Sequence, residues 1–497
     1  MGGIIGYGAY VPFHRLERSA IAEALGGRGS KGRRSVASYD EDTTTMGVEA
    51  ARTVLGTEGG AVAGSGLHLD GLSFSTVVPA YTDKTNATAI HAALGLGDSV
   101  PVSDRTASVR SAVIALHEAL DASSRRTLLT VASDIRTGLP GSSDEANGGD
   151  AAVALLTGPG GDGQPVLAEP IAMSSVTGEF LDRWRVPGAL ASRTWEERFG
   201  EHVYGPMVES AFSRAMEQAE LKPGEVDHLV VTGAHRRVAE RFARACGVRK
   251  EAVADGLYDT VGYCGAAHMG LLLAHVLDRA QPGDHVVAVS VADGADVVVL
   301  RVTGALPAYR SAQGRATVRE QVASGQTGLG YSNFLAWRGL LERDPPRRPD
   351  PARPAAPPSL RSEPWKFALV GSRCTAPTGG TPTGGTPTGG TECGARHLPA
   401  QLVCMACRAR GHMVPHPFAD TPGVVSKLTI DHLAYSPNPP LVAAVVDFDG
   451  GGRYRFELTD VDPDTVAMGD RVSMTFRRLY TTTDGVHDYF WKARPTP

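Results

Sequence analysis

Alternation between two kinds of segment constrains this chain most. Up to about residue 305, short apolar runs alternate with amphipathic stretches. GLSFSTVV (71–78), TLLTVAS (127–133), AAVALL (151–156), HLVVTG (228–233), HVVAVSV (285–291) and VVVLRV (297–302) read as buried strands. MGVEAARTVL (46–55), RSAVIALHEAL (110–120), GPMVESAFSRAMEQAEL (205–221), RVAERFARAC (237–246) and GLLLAHVLDRA (270–280) place apolar residues at i, i+3 and i+4, and read as helices. Strands that are apolar on both faces and separated by helices require a largely parallel sheet covered on both sides. AVIALHEAL…TLLTVASD also echoes MGLLLAHVLDRA…HVVAVSVADGAD, each a helix, a turn, a strand and an acidic or glycine-bearing loop. The echo points to two related α/β halves; chance similarity between Ala- and Val-rich segments is the other reading.

The pattern then changes. YSNFLAWRGLLER (331–343) reads as an amphipathic helix, and the proline-rich 342–364 that follows as an extended connector. The tail carries five β-rich segments, VVSKLTID, LVAAVVDFD, RYRFELTDV, RVSMTFRRLY and HDYFWKA, separated by turn signals. Five short strands point to a small barrel, with the OB-fold the leading candidate.

Charge and cysteine content narrow the function. Among 497 residues the net charge is −5, which argues against nucleic acid as the main partner. No apolar stretch approaches the ~18 residues of a membrane span, and the N-terminus carries no secretory or myristoylation pattern, so the expected address is the cytoplasm. Of six cysteines, Cys374, Cys393, Cys404 and Cys407 cluster near the C-terminus. Cys404 and Cys407 form a CxxC able to chelate one ion. Between Cys374 and Cys393 lies a TPTGG-type repeat that offers little to pack, so it reads as a loop inserted into a metal knuckle. Four thiolates fit a closed, structural zinc site. The alternative is that the long loop has abolished the site. His397 is a substitute ligand or a solvated loop histidine.

Five stretches carry a family resemblance: EDTTTMGVEAA (41–51), YTDKTNATAIHAALGLG (81–97), DRTASVRSAVIAL (104–116), TGAHRRVAERFA (232–243) and VGYCGAAHMGLLLAHVLDRAQPGD (261–284). In this order they resemble the 3-hydroxy-3-methylglutaryl-CoA synthase and ketoacyl synthase III branch of the thiolase fold, over about residues 1–305. Residues from about 331 to 497 are similar to the zinc-ribbon/OB-fold proteins that accompany this branch. The resemblance implies an α/β, five-layered αβαβα body, a homodimer, and a tunnel for the pantetheine arm of coenzyme A. It gives domains at 1–165 and 166–305 (the thiolase-fold halves), 306–365 (helix and linker), 366–415 (zinc ribbon) and 416–497 (OB-fold).

The resemblance also locates departures. The family's nucleophilic cysteine, at a helix N-terminus, falls on Val109; Ser108 is one residue away and reads as an N-cap, with no base evident to activate it. The acid/base glutamate falls on Val77, and Tyr263 replaces an asparagine. His235 matches the family histidine, with a surface strand-end histidine as the bland alternative. Arg236 and Arg237 stand where family members meet coenzyme A phosphates, or form a solvated helix start. Cys264 reads as core filler. The leading expectation is an acyl-CoA enzyme that makes or breaks a C–C bond, aldol or retro-aldol in type, without an acyl-cysteine. His235 and Tyr263 would be catalytic, Arg236, Arg237, Val109 and Ser108 substrate-binding. The rivals are a non-catalytic acyl-CoA-binding scaffold for a separate thiolase, and a condensing synthase using Ser108 as substitute nucleophile.

Overall fold

The structure, a computed structural model, describes residues 2–27, 31–55, 67–161, 163–195, 197–344, 353–378 and 391–496. They form two units, one covering most of 1–343 and the other most of 344–497. The first is built on nine strands: β1 (Gly3–Tyr10), β2 (Gly71–Thr76), β3 (Val102–Thr106), β4 (Leu128–Asp134), β5 (Ala151–Gly158), β6 (Ala168–Thr177), β7 (His228–Gly233), β8 (His285–Val291) and β9 (Gly294–Val302). Their spatial order is β7-β8-β9-β6-β1-β5-β4-β2-β3. One ladder pair, Ile4 with Ala168, joins β1 to β6, so the sheet falls into two halves. In one half β1 and β5 are antiparallel, as are β5 and β4, while β4 and β2 are parallel. The other repeats this: β6 and β9 antiparallel, β9 and β8 antiparallel, β8 and β7 parallel. The echo in the sequence is therefore a structural duplication. The largely parallel sheet expected from the sequence is corrected to a mixed one, in which only β2, β3 and β4, and β7 and β8, run parallel.

Helices α1 (Thr43–Leu55), α2 (Arg110–Ala122), α3 (Glu197–Gln218), α4 (Arg236–Ala245) and α5 (His268–Leu277) complete the layers. Val113, Leu116 and Leu120 of α2 and Leu271, Leu272 and Leu273 of α5 share a core with Val153, Leu155, Val286, Ala288, Val298 and Leu300. The alternate residues Val287, Val289, Val297 and Val299 pack instead with Phe212 and Met216 of α3 and Val238 and Phe242 of α4. The two-residue period of a strand thus sends successive valines into different cores, which is why β8 and β9 read as unbroken apolar runs. With α1 packed on β1, β4 and β5, the order is αβαβα.

Strand β1 leaves no such run in the sequence because glycines alternate through it. A Cβ on Gly8 would lie 1.9 Å from Thr53 Oγ1 and 2.9 Å from the Ala50 carbonyl, so α1 sits against bare backbone. The expected helix at 331–343 is shorter, α6 (Tyr331–Trp337), with Arg338 at its C-cap.

In the second unit, strands Arg453–Glu457, Leu441–Phe448, Gly423–Asp431, Arg471–Thr481 and His487–Pro495 are neighbours in that order, and a bridge from Leu458 to Ala493 ties the two ends together. The expected extended connector is helical at Ala356–Arg361 and Glu363–Ala368. Both helices carry proline in the first turn, where the missing N–H breaks no bond. Part of the connector, 345–352, and most of the TPTGG repeat, 379–390, lie outside the described residues.

Gly8→Ala should lower stability by about 1–3 kcal/mol through overpacking. A reduced denaturant midpoint at unchanged slope would register it; an unmoved midpoint would mean that α1 does not pack this closely on β1.

Candidate active site

The duplication brings the carboxyl ends of β2, β4, β7 and β8 towards the N-termini of α2 and α5. Ligands of open α/β sheets bind outside such strand ends, where loops diverge and helix N-termini offer free amides. Asp134, the last residue of β4, ties this region together. It is fully buried. Its Oδ1 accepts from the Thr76 hydroxyl (2.9 Å) and the Val77 amide (2.8 Å), and its Oδ2 from the Ala266 amide (2.6 Å). Burial pushes its carboxyl above the usual range, against the pull of Arg136 and these donors. Gly265 has φ +52°, and a Cβ there would lie 2.1 Å from Asp134 Oδ2.

Beside this carboxylate lies a cavity of ≈490 Å³ whose lining includes Arg136, Asp144, Arg236, Arg237, Tyr258 and Tyr263. The Tyr263 backbone is fixed to the opposite wall: its amide donates to the Asn147 carbonyl (2.8 Å), and its carbonyl accepts from Gly149 (3.0 Å). The Arg136 guanidinium lies 5.6 Å from the Tyr263 ring centre. Burial pushes the Tyr263 phenol up to about 12, although Arg136 and Arg183 pull it down. The hydroxyl therefore keeps its proton at neutral pH and can donate a hydrogen bond. Arg183 makes a bidentate pair with Asp144, and Arg236 pairs with Glu240 (2.7 Å).

His235 caps α4 just behind the lining residue Ala234. Its ring is buried, with Nε2 on Asp182 Oδ2. Burial raises the Asp182 carboxyl, but hydrogen bonds from His235 and Tyr204 outweigh it and the net shift is downward. The Tyr204 hydroxyl donates to Asp182 and accepts from the Asp293 amide. Asp293, in the β8–β9 turn, accepts from the Ser108 hydroxyl at 2.5 Å. Ser108 Oγ also accepts from the Arg110 amide (3.2 Å), which is a helix-capping bond. A hydrogen-bonded chain therefore runs from Ser108 at the head of α2 to His235.

Of the sequence-predicted residues, Tyr263, Arg236 and Arg237 line the cavity, while His235, Ser108 and Val109 are not among its lining residues. Val77 is buried, its amide on Asp134 and its carbonyl accepting from Arg185. Val109 is half-buried at the head of α2. Cys264 is fully buried; its thiol donates to the Gly262 carbonyl (3.4 Å), and burial pushes it well above the usual thiol range. No cysteine is among the residues lining the cavity. Sequence reading missed Asp134, Asp182, Tyr204 and Asp293. Asp134 and Asp293 had a signal, the acidic loop that follows each echoed strand. Asp182 sits in the irregular stretch before α3, where no periodicity marks it.

In the second unit the Sγ atoms of Cys374, Cys393, Cys404 and Cys407 lie within 4.8 Å of one another. Cys374 and Cys407 are 3.6 Å apart, Cys393 and Cys404 3.8 Å. Four sulfurs around an ion at a bond length of ~2.3 Å would be ~3.8 Å apart, so the set fits a tetrahedral metal. Pro377–Thr378 pairs with Thr391–Glu392, so the repeat leaves and returns at one point and keeps Cys374 and Cys393 together. His397 Nε2 lies 3.5 Å from Cys404 Sγ.

Comparison with known proteins agrees with this architecture. Residues 216–302 match the family described as 3-oxoacyl-[acyl-carrier-protein] synthase III C terminal, and 418–477 the family described as ChsH2, C-terminal OB-fold domain. A solved hydroxymethylglutaryl-CoA synthase complexed with CoA superposes with a TM-score of 0.57 at 16% identity, over 67% of this chain and 89% of its own. For 3-oxoacyl-[acyl-carrier-protein] synthase III from Aquifex aeolicus the TM-score is 0.52 at 20% identity, over 61% and 100%. The duplicated αβαβα body is the thiolase fold, followed by an OB-fold. Hydroxymethylglutaryl-CoA synthase of Aeropyrum pernix is 30% identical over 352 residues, which are 68% of this chain and 94% of the relative. That of Thermoplasma volcanium is 28% identical over 315 residues, 59% and 85%. The chain belongs to the hydroxymethylglutaryl-CoA synthase family.

His268, at the head of α5, gives a pH test of the site's packing. Its Nδ1 accepts from the Cys264 amide (3.3 Å), and burial pushes its imidazole down to about 3. In the unfolded chain it titrates near ~6.5. Protonation therefore favours unfolding. Its contribution is complete above ~6.5 and is lost as pH falls from there towards about 3. Melting temperature followed against pH should fall less steeply over that window in His268→Gln; an identical fall would show that this histidine is not buried neutral.

Proposed function

We propose that this chain makes or breaks a C–C bond on an acyl-CoA thioester by aldol-type chemistry, with no acyl-cysteine intermediate. The observation that carries the reading is the cavity wall: arginines and phenols line it, while the neighbouring thiol, Cys264, is sealed in the core with its proton held on. A covalent route needs an accessible nucleophile, and a buried, protonated thiol is a poor one.

In the retro direction, the substrate's β-hydroxyl loses its proton to the His235 imidazole and the Cα–Cβ bond breaks. The electron pair collects on the thioester oxygen, and Cα is then reprotonated; the synthetic direction is the reverse. Asp182 occupies Nε2, which leaves Nδ1 of His235 for the proton, and it stabilises the imidazolium that forms. The Tyr263 hydroxyl and the Arg136 guanidinium would support the enolate oxygen, in a setting where burial makes fixed donors effective. Arg236 and Arg237 would meet the coenzyme A phosphates, with Val109 and Ser108 at the acyl end. The four cysteines would hold a structural zinc; bound, it would brace the ribbon and supply no chemistry to the cavity.

A second reading, a condensing synthase, is favoured by one contact. Ser108 Oγ lies 2.5 Å from Asp293 Oδ2, so a carboxylate able to take its proton is present after all.

Intact mass after incubation with acetyl-CoA and acetoacetyl-CoA separates the two. The unmodified mass is expected; an adduct that disappears in Ser108→Ala would establish the synthase. Against a panel of β-hydroxyacyl-CoAs, His235→Ala and Tyr263→Phe should each slow turnover by about 10²-fold or more. Tight thioester binding with no turnover by the wild type would leave the scaffold reading. Metal analysis should find one zinc per chain; four freely titratable thiols in the folded protein would dispose of it.

A further inference from the structure

Helix α6 does more than end the first unit. Arg338, at its C-cap, is buried, and its guanidinium donates to Asp150 Oδ2 and to the Ala37 carbonyl (3.3 Å). Asp150 is fully buried. Its Oδ2 also accepts from the Ala37 amide (2.7 Å), and its Oδ1 from the Arg136 amide (2.9 Å) and Arg34 (3.4 Å). Arg34, also fully buried, donates in turn to the Arg136 carbonyl (2.7 Å). About two turns earlier, at the start of α6, the Tyr331 hydroxyl donates to Glu145 Oε1 (2.9 Å), and Glu145 Oε2 accepts from Gly141 (2.7 Å). Two buried arginines thus balance two buried carboxylates, and both carboxylates lie at or beside the 136–150 loop.

That loop is the cavity wall. Arg136, Asp144, Asn147 and Gly148 line the cavity, and Asn147 and Gly149 hold the Tyr263 backbone. Arg136 is gripped behind the wall by its own amide and carbonyl while its guanidinium reaches Tyr263 in front. We infer that Arg338 and Tyr331 are positioning residues: α6 is a strut behind the 136–150 loop that sets where Arg136 and Tyr263 stand in the cavity. Neither residue lines the cavity, so the effect on ligand passes through Asp150 and Glu145. α6 is also the last helix before the connector, so the chain segment leading to the fused domain is itself part of the site's support.

The consequence for ligand binding rests on the acyl-CoA reading of the cavity; the strut itself does not. Two readouts keep them apart: acetyl-CoA affinity by calorimetry, and amide exchange over 136–150 and at Tyr263 in the free protein. Arg338→Ala should weaken acetyl-CoA by roughly tenfold or more, the scale on which losing a supporting contact moves a site. It should also speed exchange in that loop. Ethylguanidinium, filling the vacated space, should restore both, and Arg338→Lys should fall between. Should Arg338→Ala fail to fold, Tyr331→Phe, which removes one hydroxyl, should still speed exchange around Glu145. Unchanged exchange in the folded variants, or changes that ethylguanidinium does not reverse, would overturn the strut. Wild-type protein that does not bind acetyl-CoA would overturn the acyl-CoA reading alone, and the exchange result would still decide the strut.

Discussion

Two buried carboxylates, Asp134 and Asp150, bracket the loop on which the candidate site depends. A carboxylate removed from water is costly unless donors surround it. Asp134 meets that demand with the ends of β2 and the head of α5, and Asp150 with three backbone or guanidinium partners on one side and Arg338 on the other. Each charge forces separate segments to meet at one point. Segments distant in sequence are thereby placed to within hydrogen-bonding tolerance, and Tyr263 and Arg136 inherit that precision.

The fold was legible where burial on both faces of a strand erased polar residues. β7 and β8 coincide with the apolar runs HLVVTG and HVVAVSV because one set of valines serves the central helices and the other the outer pair. The five strands of the C-terminal barrel were legible because turn residues punctuate them. β1 was not: its glycines answer to the close approach of α1, a tertiary demand that no local propensity records. The helices at 356–368 are hidden by their prolines, which break a helix in its interior but not in its first turn, where these stand.

For the site, the resemblance pointed to Tyr263, Arg236 and Arg237, which line the cavity, and to His235, Ser108, Val77 and Val109, which are not among its lining residues. Their partners were beyond reach. Asp182 approaches His235 from 53 residues away, through a stretch without periodic pattern, and Asp293 reaches Ser108 from 185 residues away. Asp293 matters most, because it places a carboxylate in hydrogen-bonding contact with Ser108, where the sequence shows no such group. Under the proposal that Val109 stands at the family's nucleophile position, what the remaining groups can do is set by geometry more than by residue type. A phenol held neutral by burial and an imidazole held by a carboxylate suit proton movement and oxyanion support, and neither needs a covalent intermediate.

A crystal structure with a non-hydrolysable acyl-CoA analogue in the cavity tests this most directly. The account predicts the analogue's carbonyl oxygen within hydrogen-bonding distance of the Tyr263 hydroxyl or the Arg136 guanidinium, with no side-chain sulfur or hydroxyl positioned for attack on the carbonyl carbon. Ser108 Oγ found at about 3–3.5 Å from that carbon, in line for addition, would contradict it.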